Sequence, residues 1–445
     1  MATINASNLE LQIAQKLATA ETAFDTLVYA KALEQIGAGI VHTVPAFNNL
    51  PPANTTLGEL YFVESDRTLY FSTANGQWIS LVSGSGSTLW TWGSNLYGQL
   101  GDGTQTGRSS PVTTAGGGTT WAIVSSGGCH IAAVKTDGTL WTWGPGAAGR
   151  LGDGTTNGRS SPGTTEGGGT TWASVSSGVI HTSAVKTDGT LWTWGSNGTG
   201  QLGDGTRTDR SSPVTTAGGG NTWAQVSSVV NHTAAVKTDG TLWTWGLNSQ
   251  GRLGSGTTAD RSSPGTTAGG GTDWASVASG ACHTAAVKTD GTLWTWGSNS
   301  FGQLGDGNTT GRSSPVTTAG GGTDWASVSS GCVHTAAVKT DGTLWTWGGN
   351  CNGILGDGTV TSRSSPGTTA GGGTTWAQVS SGDVHTAAVK TDGTLWTWGC
   401  NGNSELGTGT ITSRTSPGTT AGGGTTWASV SSGGAQTAAI QTITY

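Results

Sequence analysis

The chain has 445 residues, 79 of them Gly and 22 Trp, with only 10% charged residues and a formal net charge of −6. Gly is far above its usual ~7%, yet Gly and Pro together stay below the ~25–30% that marks disorder in a chain without a period; the negative balance argues against recognition of nucleic acid through its phosphates. No run approaches the ~20 apolar residues of a membrane span, no signal peptide opens the chain, and five scattered Cys make no disulfide framework, so a cytoplasmic origin without membrane insertion is expected.

Residues 1–83 differ in composition from the remainder. They hold four of the five Phe and three of the five Tyr, and set three basic residues against seven acidic ones. Ser7-Asn-Leu-Glu10 forms a capping box and Gly37 a C-terminal stop, which predicts a helix over about 8–36. Within it Ile13, Leu17, Ala20, Phe24 and Leu27 follow the 4-3-4-3 spacing of a two-heptad seam. That stripe either folds back onto the chain's own domains or makes an intermolecular seam, as a homo-oligomer or as an attachment to a larger assembly. After Pro45, Pro51 and Pro52, the runs Gly58-Glu-Leu-Tyr-Phe62, Arg67-Thr-Leu-Tyr-Phe71 and Gly76-Gln-Trp-Ile79 predict a three-stranded β-meander over about 58–82. This aromatic pattern resembles a small module of bacteriophage tail-fibre and other virion structural proteins. The resemblance implies that residues 1–83 anchor the chain to other virion proteins. A Ser-Gly linker at 84–87 follows.

From residue 88 the chain is a repeat. Leu-Trp-Thr-Trp-Gly begins at Leu89, Leu140, Leu191, Leu242, Leu293, Leu344 and Leu395, always 51 residues apart, and Trp121, Trp172, Trp223, Trp274, Trp325, Trp376 and Trp427 keep the same clock. A period near 50 indicates a stacked or circular array of small units. Within a unit, β-rich runs flank Asp137-Gly138, which predicts a type I′ hairpin, and Trp121-Ala-Ile-Val adds a further short strand. No helical periodicity occurs, so the unit is all-β. The first copy starts mid-unit at Thr88-Leu89-Trp90 and the last stops mid-unit at Ala438-Ala439-Ile440, each end holding the strand that the other lacks. A solenoid would need polar caps, whereas a ring closes by pairing the two halves. The expected architecture over 88–445 is therefore a seven-bladed β-propeller closed by its termini.

The string Trp92-Gly-Ser-Asn-Leu-Tyr-Gly-Gln-Leu-Gly-Asp-Gly103, followed by Pro111, Val124, Ser126-Gly127, His130 and Asp137-Gly138, resembles the regulator of chromosome condensation repeat. The resemblance recurs in all seven units and itself implies a seven-bladed propeller. That family includes an exchange factor for a small GTPase, chromatin binders and a secreted inhibitor of β-lactamase, so membership implies a fold and not one function. The exchange factor's inserted wedge and basic tail have no counterpart among seven units of equal length.

Repeated polar residues read as structural. His130, His181, His232, His283, His334 and His385 share one phase, with Gln436 in the seventh place. A metal ring about the axis would need a second ligand type nearby, and none stands at that phase, so a hydrogen bond in every blade is expected and no metal or other cofactor. Gly144-Pro-Gly146-Ala-Ala-Gly149 matches a dinucleotide fingerprint literally but lacks the helix that must follow it. Asp102 and Arg108, with their phase-mates, read as turn supports and inter-blade pairs. No asymmetric catalytic cluster stands out, so no enzyme activity is expected.

Function is sought where the copies differ. At the phase of Tyr97 the units read Ala148, Thr199, Gln250, Phe301, Asn352 and Asn403; at that of Gln105 they read Thr156, Arg207, Thr258, Thr309, Val360 and Ile411. Loop positions of this kind line a rim, and Tyr97, Arg207, Gln250, Arg252 and Phe301 are its candidate contact residues, with drift after duplication as the rival reading. The leading expectation is a non-enzymatic phage virion protein, a fibre or decoration. Its anchor would be residues 1–83, and its propeller would meet a host-surface glycan or protein. The alternative is a protein-interaction scaffold or inhibitor module of the repeat family.

Overall fold

The computed structural model describes residues 86–443 apart from Gly117, together with the strand segments His42–Val44, Leu60–Val63, Thr68–Ser72 and Trp78–Val82. The expected helix over 8–36, with Ile13, Leu17, Ala20, Phe24 and Leu27, lies outside the described residues. The four early segments make one sheet in chain order. Leu60–Val63, Thr68–Ser72 and Trp78–Val82 pair antiparallel, and His42–Val44 joins Leu60–Val63 in parallel. That fourth strand carries no aromatic run and has no signature in the pattern of the other three.

Seven four-stranded sheets follow, each antiparallel and six of them in chain order. In blade 2 the strands are Trp172–Ser177, His181–Lys186, Leu191–Gly195 and Arg210–Thr215. Blades 1 to 6 span 121–164, 172–215, 223–266, 274–317, 325–368 and 376–419. Blade 7 joins Trp427–Ser432 and Gln436–Ile443 to Gly86–Gly93 and Arg108–Thr113, so the two half-units complete one sheet across the termini. The inner strand of each blade touches that of the next, and blade 7 meets blade 1. The seven-bladed ring is thereby closed.

Residue chemistry sets the place of each strand in its blade. His181–Lys186 is buried at every position but its terminal Lys, as befits a strand covered on both faces by neighbouring blades. Arg210–Thr215 contains Pro213, which has no N–H to offer a further strand and so suits the outer edge. The core lies between blades. Ala132, Val134 and Leu140 of blade 1 pack with Trp172, Val175, Ala184 and Trp194 of blade 2, and Leu89, Ala438 and Ile440 of blade 7 pack with Trp121, Ile131 and Trp143 of blade 1. Within blade 2, Trp172 meets Trp192 and Trp194 edge to face at 6.4 and 6.1 Å, while the Lys186 ammonium stands 4.8 and 4.5 Å from the Trp172 and Trp192 ring centres. Each blade thus buries its apolar side chains against a neighbour, and a single unit would leave them wet.

The hairpin differs from the type I′ turn expected at Asp137-Gly138. Only Gly138 has positive φ, at 78°, and Lys135 N–H bonds Thr139 C=O across a three-residue loop. The Asp137 carboxylate accepts from both the N–H and the hydroxyl of Thr139, at 2.9 and 2.7 Å. That local bond keeps Asp137 out of the left-handed region and leaves the strain to glycine.

Candidate functional site

Because the strands alternate in direction, the loop between inner and second strands (127–130) and the loop between third and outer strands (145–158) emerge at one end of a blade. The Asp-Gly hairpins and Gly-rich links emerge at the other. The hairpin end repeats Thr-Asp-Gly-Thr in six blades, from Thr136 to Thr391. The loop end is where the copies diverge.

A shared scaffold holds that loop end in place. The Thr182 hydroxyl of blade 2 donates to the Arg150 carbonyl of blade 1 at 2.9 Å, and the Trp194 indole N–H of blade 2 donates to the same oxygen at 3.0 Å. Since the Thr182 hydrogen is spent there, its oxygen accepts from His130 Nε2 at 2.8 Å, which fixes the imidazole tautomer. The node recurs around the ring, for example as His283, Thr335, Gln303 and Trp347. All six His are buried with Nδ1 unpartnered. Burial pushes His130, His181, His283 and His385 down to about 3 and His334 to about 4, so every ring is neutral near pH 7. The six His are inter-blade fasteners. Among the described residues no group of three or more His, Cys, Asp or Glu is placed to hold a metal ion.

A second device shapes each third-to-outer loop. Asn299 sits inside its loop, donating Nδ2 to the carbonyls of Asn308 and Thr310 at 3.0 and 3.1 Å and accepting the Leu304 N–H at 2.9 Å. Asn95, Asn197, Asn248, Asn350 and Asn401 do the same in their blades. Arg108 pairs with Asp102, Arg210 with Asp204, Arg312 with Asp306 and Arg363 with Asp357, closing the base of the loop. Hydrogen bonds from Thr104 and Arg108 hold the Asp102 carboxyl below its usual range against the opposing effect of burial.

Upon this scaffold the structure places the candidate rim residues. Tyr97 and Phe301 are 55% and 51% exposed, their backbone N–H groups tied to Gln99 and Gln303 Oε1 at 2.9 Å. Arg207 reaches out and faces Asp260 of the next blade at 3.8 Å. Gln250 accepts from Arg252 at 3.1 Å. Arg252 itself is buried at 4% exposure and donates to the Ala281 carbonyl at 2.9 Å, so it supports the rim from beneath and presents no contact surface. Its side chain turns under because its own carbonyl receives Trp296 and Thr284 of the next blade, which draws that backbone into the ring.

The other large apolar side chains exposed among the described residues are Leu96, Val360 and Ile411. With Tyr97 and Phe301 they occupy the loop end of blades 4, 5, 6 and 7, four successive blades, whereas Arg207, Asp209 and Asp260 stand on blades 2 and 3. The face is thus apolar over one arc and polar over the other. A further variable ring was missed from sequence: the residues just before each His, including Cys129, Val179, Asn231, Cys282, Cys332 and Asp383. The signal was present, since those two positions differ from unit to unit beside a His that six of the seven units keep. Ser and Gly from all seven blades with Val179, Val229 and Asp383 surround an axial cavity of about 90 Å³. Burial pushes the Asp383 carboxyl up, and burial with the nearby Asp383, Cys282 and Cys351 pushes the Cys332 thiol up to about 11. That thiol is the reverse of an activated nucleophile.

The fold and its loop end define a repeat-built β-propeller with one divergent face. Residues 88–439 match the RCC1-like domain family. The chain is 35% identical over 301 residues to the ultraviolet-B receptor UVR8 of Arabidopsis thaliana, a match that covers 66% of this chain and 68% of that protein. It is 31% identical over 343 residues to the human E3 ubiquitin-protein ligase HERC2, covering 74% of this chain but 7% of that much longer protein. The chain belongs to the RCC1-like domain family. Among solved structures, human WBSCR16 has a TM-score of 0.70 at 19% identity, covering 80% of this chain and 98% of that one. Yeast RCC1 (Prp20) bound to Kap60 has a TM-score of 0.70 at 18% identity, covering 81% and 90%. At such identities the likeness concerns the fold.

Proposed function

We propose that the propeller is a non-catalytic protein-interaction module whose loop face, with Phe301, Val360, Ile411, Leu96 and Tyr97 on four successive blades, meets a protein partner. The observation that carries this reading is the division of the molecule: one end is nearly invariant, and the other concentrates both sequence divergence and exposed apolar side chains. Isolated surface apolar residues need no explanation, but exposed apolar side chains gathered on successive blades of one face point to an interaction site. The family supports the reading, since a solved relative is yeast RCC1 bound to Kap60, and Prp20p is described with its binding to Gsp1p and histones. The identity of this chain's own partner is part of the proposal and does not pass over from those proteins.

The particle-bound version of this reading, with residues 1–83 attached to other virion proteins, rests on the Ile13 to Leu27 stripe and the aromatic strands. The relatives favour the interaction module ahead of it. The test is affinity capture with the full chain from its source cells, comparing wild type with a Tyr97→Ser, Phe301→Ser, Val360→Thr, Ile411→Thr variant. A partner that is lost from the loop-face variant and retained by a hairpin-face Asp188→Asn, Asp290→Asn variant supports the reading. A partner retained by the loop-face variant overturns it.

A further inference from the structure

The loop-face groove between blades 7 and 1 differs from its equivalent between blades 3 and 4. Tyr97 and Gln105 form one wall; Pro145, Thr156, Arg159 and Ser160 form the other; the open groove has a volume of about 690 Å³. The equivalent open groove between blades 3 and 4, from Gln250 and Thr258 to Ser298 and Arg312, has about 420 Å³. Eight of the ten residues lining the first groove recur in the second at three repeat lengths; Thr156 and Ser161 have no counterpart there.

The loop of blade 1 also differs from its equivalents. Gly146 stands where six other loops carry the internal Asn, and the main chain has moved into the vacated space: a Cβ on Gly146 would meet the Asn157 carbonyl oxygen at 1.9 Å. The basal ion pair of this blade differs as well. Arg108, Arg210 and Arg312 donate Nε to their loop Asp at 2.7, 2.9 and 3.2 Å. Arg159 meets Asp153 through its terminal nitrogen at 3.1 Å, and its buried Nε has no partner.

We propose that this groove binds a saccharide. An exposed aromatic ring forms one side, and the other polar side chains lining it (Gln105, Thr156, Arg159, Ser160, Ser161) are hydroxyl, amide and guanidinium groups, with no carboxylate among them. A pyranose offers a complementary pair of surfaces, an axial C–H face for the electron-rich tyrosine ring and equatorial hydroxyls for the opposite wall. The volume falls within the ~300–1,000 Å³ of small-ligand sites. A peptide would ask for apolar side-chain pockets or a free strand edge; no Leu, Ile, Val or Phe lines the groove. The saccharide reading shares Tyr97 with the protein-partner reading but none of Leu96, Phe301, Val360 and Ile411, so Phe301 separates failure of the one from failure of the other.

The test is calorimetric titration of the full chain with lactose, maltose, cellobiose, chitobiose and digalacturonic acid. At least one is expected to bind saturably with Kd near about 1 mM, as a shallow exposed site allows. Tyr97→Ala is expected to weaken that binding about tenfold or more, while Tyr97→Phe, which keeps the ring, stays within about threefold. Phe301→Ala, on the apolar arc, leaves it unchanged. All three variants are to keep the wild-type unfolding temperature, since both side chains are exposed. Failure of every sugar to bind, or equal binding by Tyr97→Ala, overturns the proposal; loss in Phe301→Ala in place of Tyr97→Ala also overturns it, by moving the site.

Discussion

Gln436 of blade 7 takes the place that His holds in six blades, and it does so opposite Ile131, which takes the place of the Thr that receives those His. Its Nε2 donates instead to the Gly127 carbonyl of blade 1 at 2.8 Å. The two exceptions are a matched pair across the interface between blades 7 and 1. An imidazole N–H at 436 would face the sec-butyl side chain of Ile131, which offers no acceptor.

Gln436→His is therefore expected to destabilise the protein by about 1–3 kcal/mol, the cost of a buried unpaired donor. Adding Ile131→Thr supplies both the acceptor and a hydroxyl for the Gln99 carbonyl, to which Trp143 already donates. Urea unfolding of the two single variants and the double variant should give a favourable coupling energy; simple additivity would show that the pairing is incidental.

Acid should open the ring through its histidines. Each is neutral when folded, with its pKa near 3 for four of them, and takes a proton near pH 6.5 when unfolded. The unfolded state thus binds more protons below pH 6.5, so stability is complete above that pH and falls as pH drops toward 3. At pH 5 the loss is about 2 kcal/mol per histidine. Unfolding followed from pH 7.5 to 4.5 should show a steep decline starting above the range where Asp102 and its phase-mates protonate. A flat profile down to pH 4.5 would contradict the buried neutral rings.

Thr335 is the hinge of one inter-blade node, accepting from His283 at 2.9 Å and donating to the Gln303 carbonyl at 2.8 Å. Thr335→Val keeps the shape and removes both bonds, with an expected cost of about 1–3 kcal/mol, whereas Thr335→Ser recovers most of it. Thermal unfolding of the pair separates the hydroxyl from the lost methyl.

Lys288 and Lys186 sit over Trp pairs in the same way, but only Lys288 adds an ion pair, with Asp273 at 3.1 Å. Lys288→Met should cost more than Lys186→Met by up to about 1 kcal/mol, and that excess should shrink in high salt. The contribution from the rings, common to both, should persist in salt. Paired denaturation curves at low and high ionic strength decide it.

Tyr97→Ser and Phe301→Ser should leave stability within about 0.5 kcal/mol of wild type, because both side chains are exposed and bonded only through their backbone N–H groups. Any loss of partner capture then reports on contact. A large fall in unfolding temperature would instead place these rings in the scaffold.

The repeat, its strands and the closure of the ring were legible in the sequence because each depends on local pattern. A 51-residue clock, Trp at fixed phases and two complementary half-units leave few ways to bury the same side chains. The structural role of the six His was legible as well, since a residue repeated in every blade answers a need of every blade. The sequence alone did not separate Arg252 from Arg207, which both stand in rim loops. The tertiary structure turns Arg252 beneath the rim, because the neighbouring blade's Trp296 and Thr284 claim its carbonyl, and leaves Arg207 outside. Nor did the missing Asn at Gly146 disclose its consequence. Where that loop settles depends on the space an absent side chain leaves and on the backbone that fills it, and that contest between packing and hydrogen bonding is resolved only when the blades stand side by side.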